Sequence, residues 1–169
     1  MTQQLCPICR ESSFTWSLDE NTSPLTRWDC SACSAHFYED ESLEIGSALV
    51  LYSSSSIVVW CFAENKAVVV PCSAVQAALN EYQEWGEKLR TDPRVRIAAS
   101  LPDLDSLCID ILCSIARRVE AICWDVASSV RDLGMSQREA YISIRTWFPF
   151  MSADNVARSV SQAMYYTLK

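Results

Sequence analysis

Near its N-terminus the chain carries four cysteines in two matched pairs, Cys6-Pro7-Ile8-Cys9 and Cys30-Ser31-Ala32-Cys33, with 20 residues between the pairs. Two C-x2-C pairs at this separation have the spacing of a tetrahedral structural metal site. The two-residue gap lets each pair turn tightly round one ion. A thiolate is soft and negatively charged. Four of them fill the coordination sphere of zinc and leave no position for water or substrate. The spacing predicts a structural Zn2+ held by Cys6, Cys9, Cys30 and Cys33. Its binding free energy, on the order of 10 kcal/mol, becomes folding energy for a segment too small to hold itself together. On sequence alone the competing readings are a disulfide framework, four unrelated core thiols, or an iron held by the same ligands. His36, the single histidine, lies three residues after Cys33. Four thiolates already suffice, so His36 is expected to be exposed or to sit beside the ligands.

The residues between the pairs must return the chain to the same ion, and a β-hairpin does this. Phe14, Trp16 and Leu18 alternate with Thr15 and Ser17, the period of a half-buried strand. Asn21-Thr22-Ser23-Pro24 reads as the turn, and Leu25 to Trp28 leads back to the second pair. With its four cysteines, this stretch resembles the zinc ribbon, a family of small metal modules, over the first 38 residues. The resemblance implies a compact metal-stapled hairpin. The chain departs from the family where a glycine often follows each pair, because Arg10 and Ser34 stand there. One or both turns are therefore expected to be less regular.

Charge argues against the nucleic-acid role that many ribbons have. The net charge is −7. Residues 1–48 hold two arginines against eight acids, a net −6. A zinc ion on four thiolates adds about −2. Such a segment repels phosphate. Residues 49–130 sum to −3 and residues 131–169 to +2. Nine cysteines, with no basic stretch followed by an apolar run at the N-terminus, point to a reducing compartment and a cytoplasmic protein. No apolar run approaches 18 residues, so no membrane span is expected. Cys61, Cys72, Cys108, Cys113 and Cys123 fall within apolar stretches and read as packing residues.

Beyond a boundary near residue 42, Ala48–Tyr52, Ile57–Phe62 and Ala67–Val70 read as a small antiparallel meander, with a polar turn at Ser53–Ser56. Both strand faces are apolar, so the ribbon is expected on one side and helices on the other. Ser73-Ala74-Val75-Gln76 reads as a capping box opening a helix to about Arg90, ended by Asp92-Pro93. A long helix is predicted from about Asp103 to Leu133, with its apolar stripe at Leu104, Cys108, Ile111, Ile115, Val119, Ile122, Val126, Val130 and Leu133. Gly134 is placed to cap it. A second capping box at Ser136–Glu139 opens a short helix, Trp147–Met151 interrupts, and Ser152 caps the last helix. The expected fold class is α+β: a four-cysteine zinc ribbon over 1–42, a β meander over 43–72, and a helical bundle over 73–169.

No catalytic set is apparent. One histidine gives no triad, and neither G-x-x-x-x-G-K-[ST] nor G-x-G-x-x-G is present to cradle phosphates. Asp103, Asp105 and Asp110 suit a helix N-terminus better than acid–base chemistry. Two features suggest binding. Lys88, Arg90, Arg94, Arg96, Arg117 and Arg118 precede Arg131, Arg138 and Arg145, which recur every seven residues. They are either a solvated face or a phosphate contact. Trp147, Phe148 and Phe150 are either core or an exposed anchor for a protein partner. The expected function is therefore a non-enzymatic interaction protein (adaptor, inhibitor or complex subunit) docking on a partner protein, nucleic-acid-binding proteins included. The alternative is a nucleic-acid-binding component, either a regulator using a helix-turn-helix-like element at 131–158 or a ribonucleoprotein subunit. For the latter, the four cysteines and the element order are distantly similar to the large subunit of minimal CRISPR effector complexes.

Overall fold

A computed structural model describes residues 5–12, 14–18, 26–39, 48–61, 66–83 and 90–167. Six strands precede five helices: β1 (Phe14–Leu18), β2 (Thr26–Cys30), β3 (His36–Glu39), β4 (Ala48–Tyr52), β5 (Ser56–Cys61), β6 (Lys66–Pro71), α1 (Cys72–Tyr82), α2 (Pro93–Ser100), α3 (Ser106–Leu133), α4 (Gln137–Trp147) and α5 (Ala153–Thr167). The mixed α+β class is as expected. The strands form one antiparallel sheet in sequential order. Hairpin and meander share this sheet, because β3 pairs with β4 through Tyr38↔Tyr52 and Glu39↔Leu51. The expected turn at 21–24 and the boundary near residue 42 lie outside the described residues.

Strand alternation assigns each face to a different core. Val50, Tyr52, Ile57, Val59 and Val70 point towards the helices and are buried there. Leu51 and Val58 point the other way, into a second cluster with Cys6, Phe14, Cys30 and Phe37. The helices cover one face, whereas the other buries Leu51 and Val58 but leaves Val69, opposite Val58, 50 % exposed. The β4–β5 turn is tied by its serines: Ser53 Oγ donates to the Ser56 carbonyl at 2.8 Å and accepts from the Ser56 N–H at 3.1 Å.

Sheet and helices join without a linker. The Cys72 N–H continues the strand ladder onto the Ser55 carbonyl at 3.1 Å, and Pro71 serves as the N-cap of α1. The helix therefore starts before Ser73, which falls inside its first turn and forms no capping box. The described helix ends at Tyr82, short of the predicted Arg90, and residues 84–89 lie outside the described set. The sequence reading also missed α2. Asp92-Pro93, taken as a stop, is a start: the Asp92 carboxylate caps the Arg94 N–H at 2.8 Å, and Pro93 occupies the first turn, where its missing N–H costs nothing.

The long helix α3 has 28 residues and spans about 42 Å. Asp105 caps its start and Gly134, at φ 72°, its end. It packs against each of the other four helices. Its stripe is buried from Ile109 to Ala127, but Leu133, the last predicted stripe residue, is 81 % exposed because the final turn runs past the core. The capping box at Ser136 and Glu139 forms in full, with N–H to oxygen distances of 2.8 and 3.2 Å. The α4–α5 corner folds inward. Phe148 and Phe150 surround Tyr52, with ring centroids 5.9 and 5.2 Å away. Gln76 of α1 holds the corner from below: its Nε2 donates to the Phe150 carbonyl at 2.7 Å, and its Oε1 accepts from the Ser152 N–H and from Asn155 Nδ2.

Candidate metal centre

The two cysteine pairs sit in matching turns. In the first, the Cys6 N–H donates to the Glu11 carbonyl and the Arg10 N–H to the Cys6 carbonyl, both at 2.9 Å. In the second, Cys30 and Ala35, then Ser34 and Cys30, repeat that pattern at the same distances. The turns are thus equally regular, contrary to expectation. They achieve this by holding Arg10 at φ 65° and Ser34 at φ 58°, in the left-handed region that glycine enters freely.

Backbone pairing brings the turns together. Phe14 is opposite Cys30 in the β1–β2 register, so the end of the first turn lies beside the start of the second. The Cys6 and Cys33 Sγ atoms are 3.7 Å apart, those of Cys9 and Cys30 are 3.6 Å apart, and all four sulfurs lie within 4.8 Å of one another. A disulfide requires about 2.05 Å, so no pair is bonded. Sulfurs about 2.3 Å from a central ion at tetrahedral angles would be about 3.8 Å apart. The four sulfurs therefore fit a tetrahedral metal site. Cys6 and Cys30 are buried beside Phe14 and Phe37, while Cys33 faces solvent. His36 is exposed and outside the sulfur cluster, its ring edge-on to Tyr38 at 6.3 Å.

The Cys6 and Cys9 thiols resist ionisation unless a cation is present. Burial pushes the Cys6 thiol above its ordinary range. The Glu11 backbone pulls the Cys9 thiol down, but burial and the neighbouring Cys30, Cys33 and Cys6 thiols outweigh it and push Cys9 up to about 12. A divalent ion bound there would supply the compensating charge and displace the protons. With four protein ligands the sphere is closed, so such an ion holds the turns together and offers no site for substrate.

The other candidate residues do not form a second site. Phe148 and Phe150 are core residues, 0 % and 4 % exposed, and are unavailable to a partner. They are buried because the corner fills the space over Tyr52. Trp147 is half-buried with the Arg118 guanidinium 5.4 Å from its ring centroid. Nor do the arginines form a free stripe. Arg131 binds both carboxylate oxygens of Asp132 at 2.6 and 2.7 Å and donates to the Thr167 carbonyl at 2.9 Å. Arg145 donates to the Met151 carbonyl at 3.1 Å, and Arg94 pairs with Asp110 at 2.6 Å. Arg96 is buried and closes the end of α1 by donating to the Glu81 and Thr91 carbonyls. Arg138 is exposed on α4, and Lys88 lies outside the described residues. Among the other cysteines, Cys113 and Cys123 are buried as expected, Cys72 and Cys108 are half-buried, and the Cys61 side chain lies outside the described set.

The sequence reading passed over a cleft between α1, α3 and α5, lined by Gln83, Glu120, Cys123, Trp124, Ser159 and Tyr166 among others. Only Trp124, a large ring outside the apolar stripe of α3, hinted at it. Among the described residues no helix is long and apolar enough to cross a membrane. No protein-family model, no curated protein and no solved structure matches the chain.

Proposed function

We propose that this protein is a non-enzymatic interaction module of the cytoplasm. In this reading a ribbon-type zinc centre at Cys6, Cys9, Cys30 and Cys33 braces one side of the sheet, a helical bundle braces the other, and the whole docks on a basic surface of a partner protein. The sulfur spacing, close to that of a tetrahedral tetrathiolate, supports zinc. The observation that carries the docking reading is the commitment of the arginines. Arg94, Arg96, Arg131 and Arg145 are bound to this chain's own carboxylates and carbonyls, whereas residues 1–48 carry a net −6. A protein gripping phosphate needs free cations on one face. A segment this acidic in sequence instead favours encounter with a basic protein.

The test has two arms. The full chain, zinc-loaded, is immobilised and used to capture proteins from its native host at stepped salt, and its affinity for DNA and RNA is measured across the same salt range. The reading predicts one stoichiometric protein partner released as salt rises, and no saturable nucleic-acid binding at low salt. Nucleic-acid affinity that falls steeply with salt, and whose salt slope is reduced in Arg138→Gln, would establish the alternative.

A further inference from the structure

The four sulfurs of the metal centre are alike in chemistry and unlike in exposure. Cys6 and Cys30 are 0 % and 2 % exposed, Cys9 is half-buried, and Cys33 faces solvent. The second turn explains the contrast. Cys30 ends β2 and is carried into the cluster with Phe14 and Phe37. Cys33 is flanked by Ser31, Ala32 and Ser34, all small and all exposed, so its own turn puts nothing bulky over the sulfur. Across the site, Cys6 Sγ lies 3.7 Å from Cys33 Sγ, and Cys9 Sγ lies 3.6 Å from Cys30 Sγ. Each contact joins one turn to the other. Of the eight cysteines whose side chains are described, Cys33 is the one in the open. Cys113 and Cys123 are buried, and Cys72 and Cys108 are half-buried. Burial pushes the Cys72, Cys113 and Cys123 thiols up, Cys123 to about 12, so they stay protonated and inert. They also lie outside the one thiol cluster among the described residues.

Reaction of a cysteine with an oxidant needs thiolate character, access from solvent and a second sulfur in reach to resolve the first product. A thiol that coordinates a metal is deprotonated outright. With the ion bound, Cys33 therefore meets all three needs at once. We propose that Cys33 is an oxidation site for a hydroperoxide, that Cys6 is its resolving partner, and that their reaction empties the metal centre. The proposal rests on the zinc reading. In the first step the Cys33 thiolate attacks a peroxide oxygen: the S–O bond forms, the O–O bond breaks, and hydroxide leaves when the oxidant is hydrogen peroxide. The resulting sulfenic acid has lost the negative charge that made the sulfur a good ligand. In the second step the Cys6 thiolate, 3.7 Å away, attacks the Cys33 sulfur: the S–S bond forms, the S–O bond breaks, and a second hydroxide leaves. Two thiolates have given up two electrons and the peroxide has taken them. Only Cys9 and Cys30 remain as thiolate ligands, and the sphere is no longer closed. Cys6 is shut off from solvent, but its attack is intramolecular and needs no access. A thiol reductant reverses the bond by exchange. None of the four sulfurs belongs to the helix-side core, so the change is confined to the thiol side of the sheet.

The test uses the full chain, loaded with zinc under reducing conditions and assayed for metal before any oxidant is added. Hydrogen peroxide is then supplied in small excess. A colorimetric chelator follows zinc release, dimedone in a parallel sample traps sulfenic acid, and mass spectrometry of alkylated, unreduced peptides maps the bond. Zinc is expected to leave in step with one disulfide, between Cys6 and Cys33, with the dimedone adduct on Cys33. Reductant with added zinc should restore the starting metal content. Cys33→His keeps a fourth ligand that zinc accepts but removes the oxidisable one, and should slow peroxide-driven release at least about ten-fold. Where that variant does not load zinc, the peptide map of the unaltered chain decides. Release from Cys33→His as fast as from the unaltered chain, release with Cys33 unmodified, or Cys33 bonded to Cys9 or Cys30 in place of Cys6 would overturn the assignment. The two readings fail separately. Less than half an equivalent of metal before peroxide removes the zinc centre and this site with it. A full equivalent that stays bound while Cys72 or Cys108 is oxidised removes this site and leaves the zinc centre.

Discussion

The two faces of the sheet are held by different physics. On the helix side, 28 buried apolar residues among those described, from β4–β6, all five helices and the α4–α5 corner, form one continuous cluster. On the other side the buried cluster has six members among the described residues, and two of those are the cysteines Cys6 and Cys30. Stabilisation of the helical side is spread over many contacts of a few kcal/mol or less. On the proposed reading, stabilisation of the thiol side is concentrated at one point, where an ion held by the four clustered sulfurs would substitute for a core too small to support strands of four and five residues. Strand β5 belongs to both, with Val58 in one cluster and Ile57 and Val59 in the other. The lesson is that one sheet can be shared by two units of unequal autonomy, so damage to each should spread differently.

The largest effect should come from removing the ion. The double change Cys9→Ser with Cys30→Ser, or a strong chelator, should cost on the order of 10 kcal/mol locally. Hydrogen exchange should show the amides of β1 to β3 losing protection while those of α3 keep theirs. Uniform loss across both would break the comparison. The next largest effect comes from the opposite side. Phe148→Ala empties a buried site over Tyr52 and should cost about 3–5 kcal/mol in denaturant unfolding, with zinc content unchanged.

A smaller, graded effect is expected from pH. Cys6 and Cys9 hold their protons more tightly than ordinary thiols, Cys9 up to about 12, so protons compete with the ion at all working pH values. Binding releases protons, and lowering pH reverses it. Apparent zinc affinity should therefore fall as pH falls, by about 1.4 kcal/mol per unit for each proton displaced. Chelator competition at several pH values measures this, and a flat profile would deny proton-linked thiolate ligation. The smallest effect sharpens the account of the turns. Ser34→Gly relieves a left-handed φ of 58° and should stabilise the zinc-loaded form by roughly 0.5–1 kcal/mol.

Much of this was legible where a local rule has a strong physical cause. The C-x2-C spacing located four sulfurs that the fold does bring together. The runs at 48–52, 57–62 and 67–70 marked β4 to β6 nearly to the residue, because β-branched residues between polar turns have few alternatives. Gly134 and the Ser136–Glu139 box likewise formed as their chemistry requires. What escaped was set by tertiary context. Asp92-Pro93 signals a stop and a start equally well, and the Asp92 carboxylate on the Arg94 N–H shows that here it opens α2. A run of arginines reads as a surface until their partners are seen. The joining of β3 to β4 depends on long-range register that no local pattern encodes.

The central claim is that one ion, ligated by Cys6, Cys9, Cys30 and Cys33, fastens the thiol-rich turns to the sheet. X-ray absorption at the zinc edge, with elemental analysis of the same full-length sample, tests it most directly. The account predicts one zinc per chain with four sulfur neighbours at about 2.3 Å. Less than half an equivalent of metal in intact protein, or a shell containing nitrogen or oxygen in place of a sulfur, would contradict it.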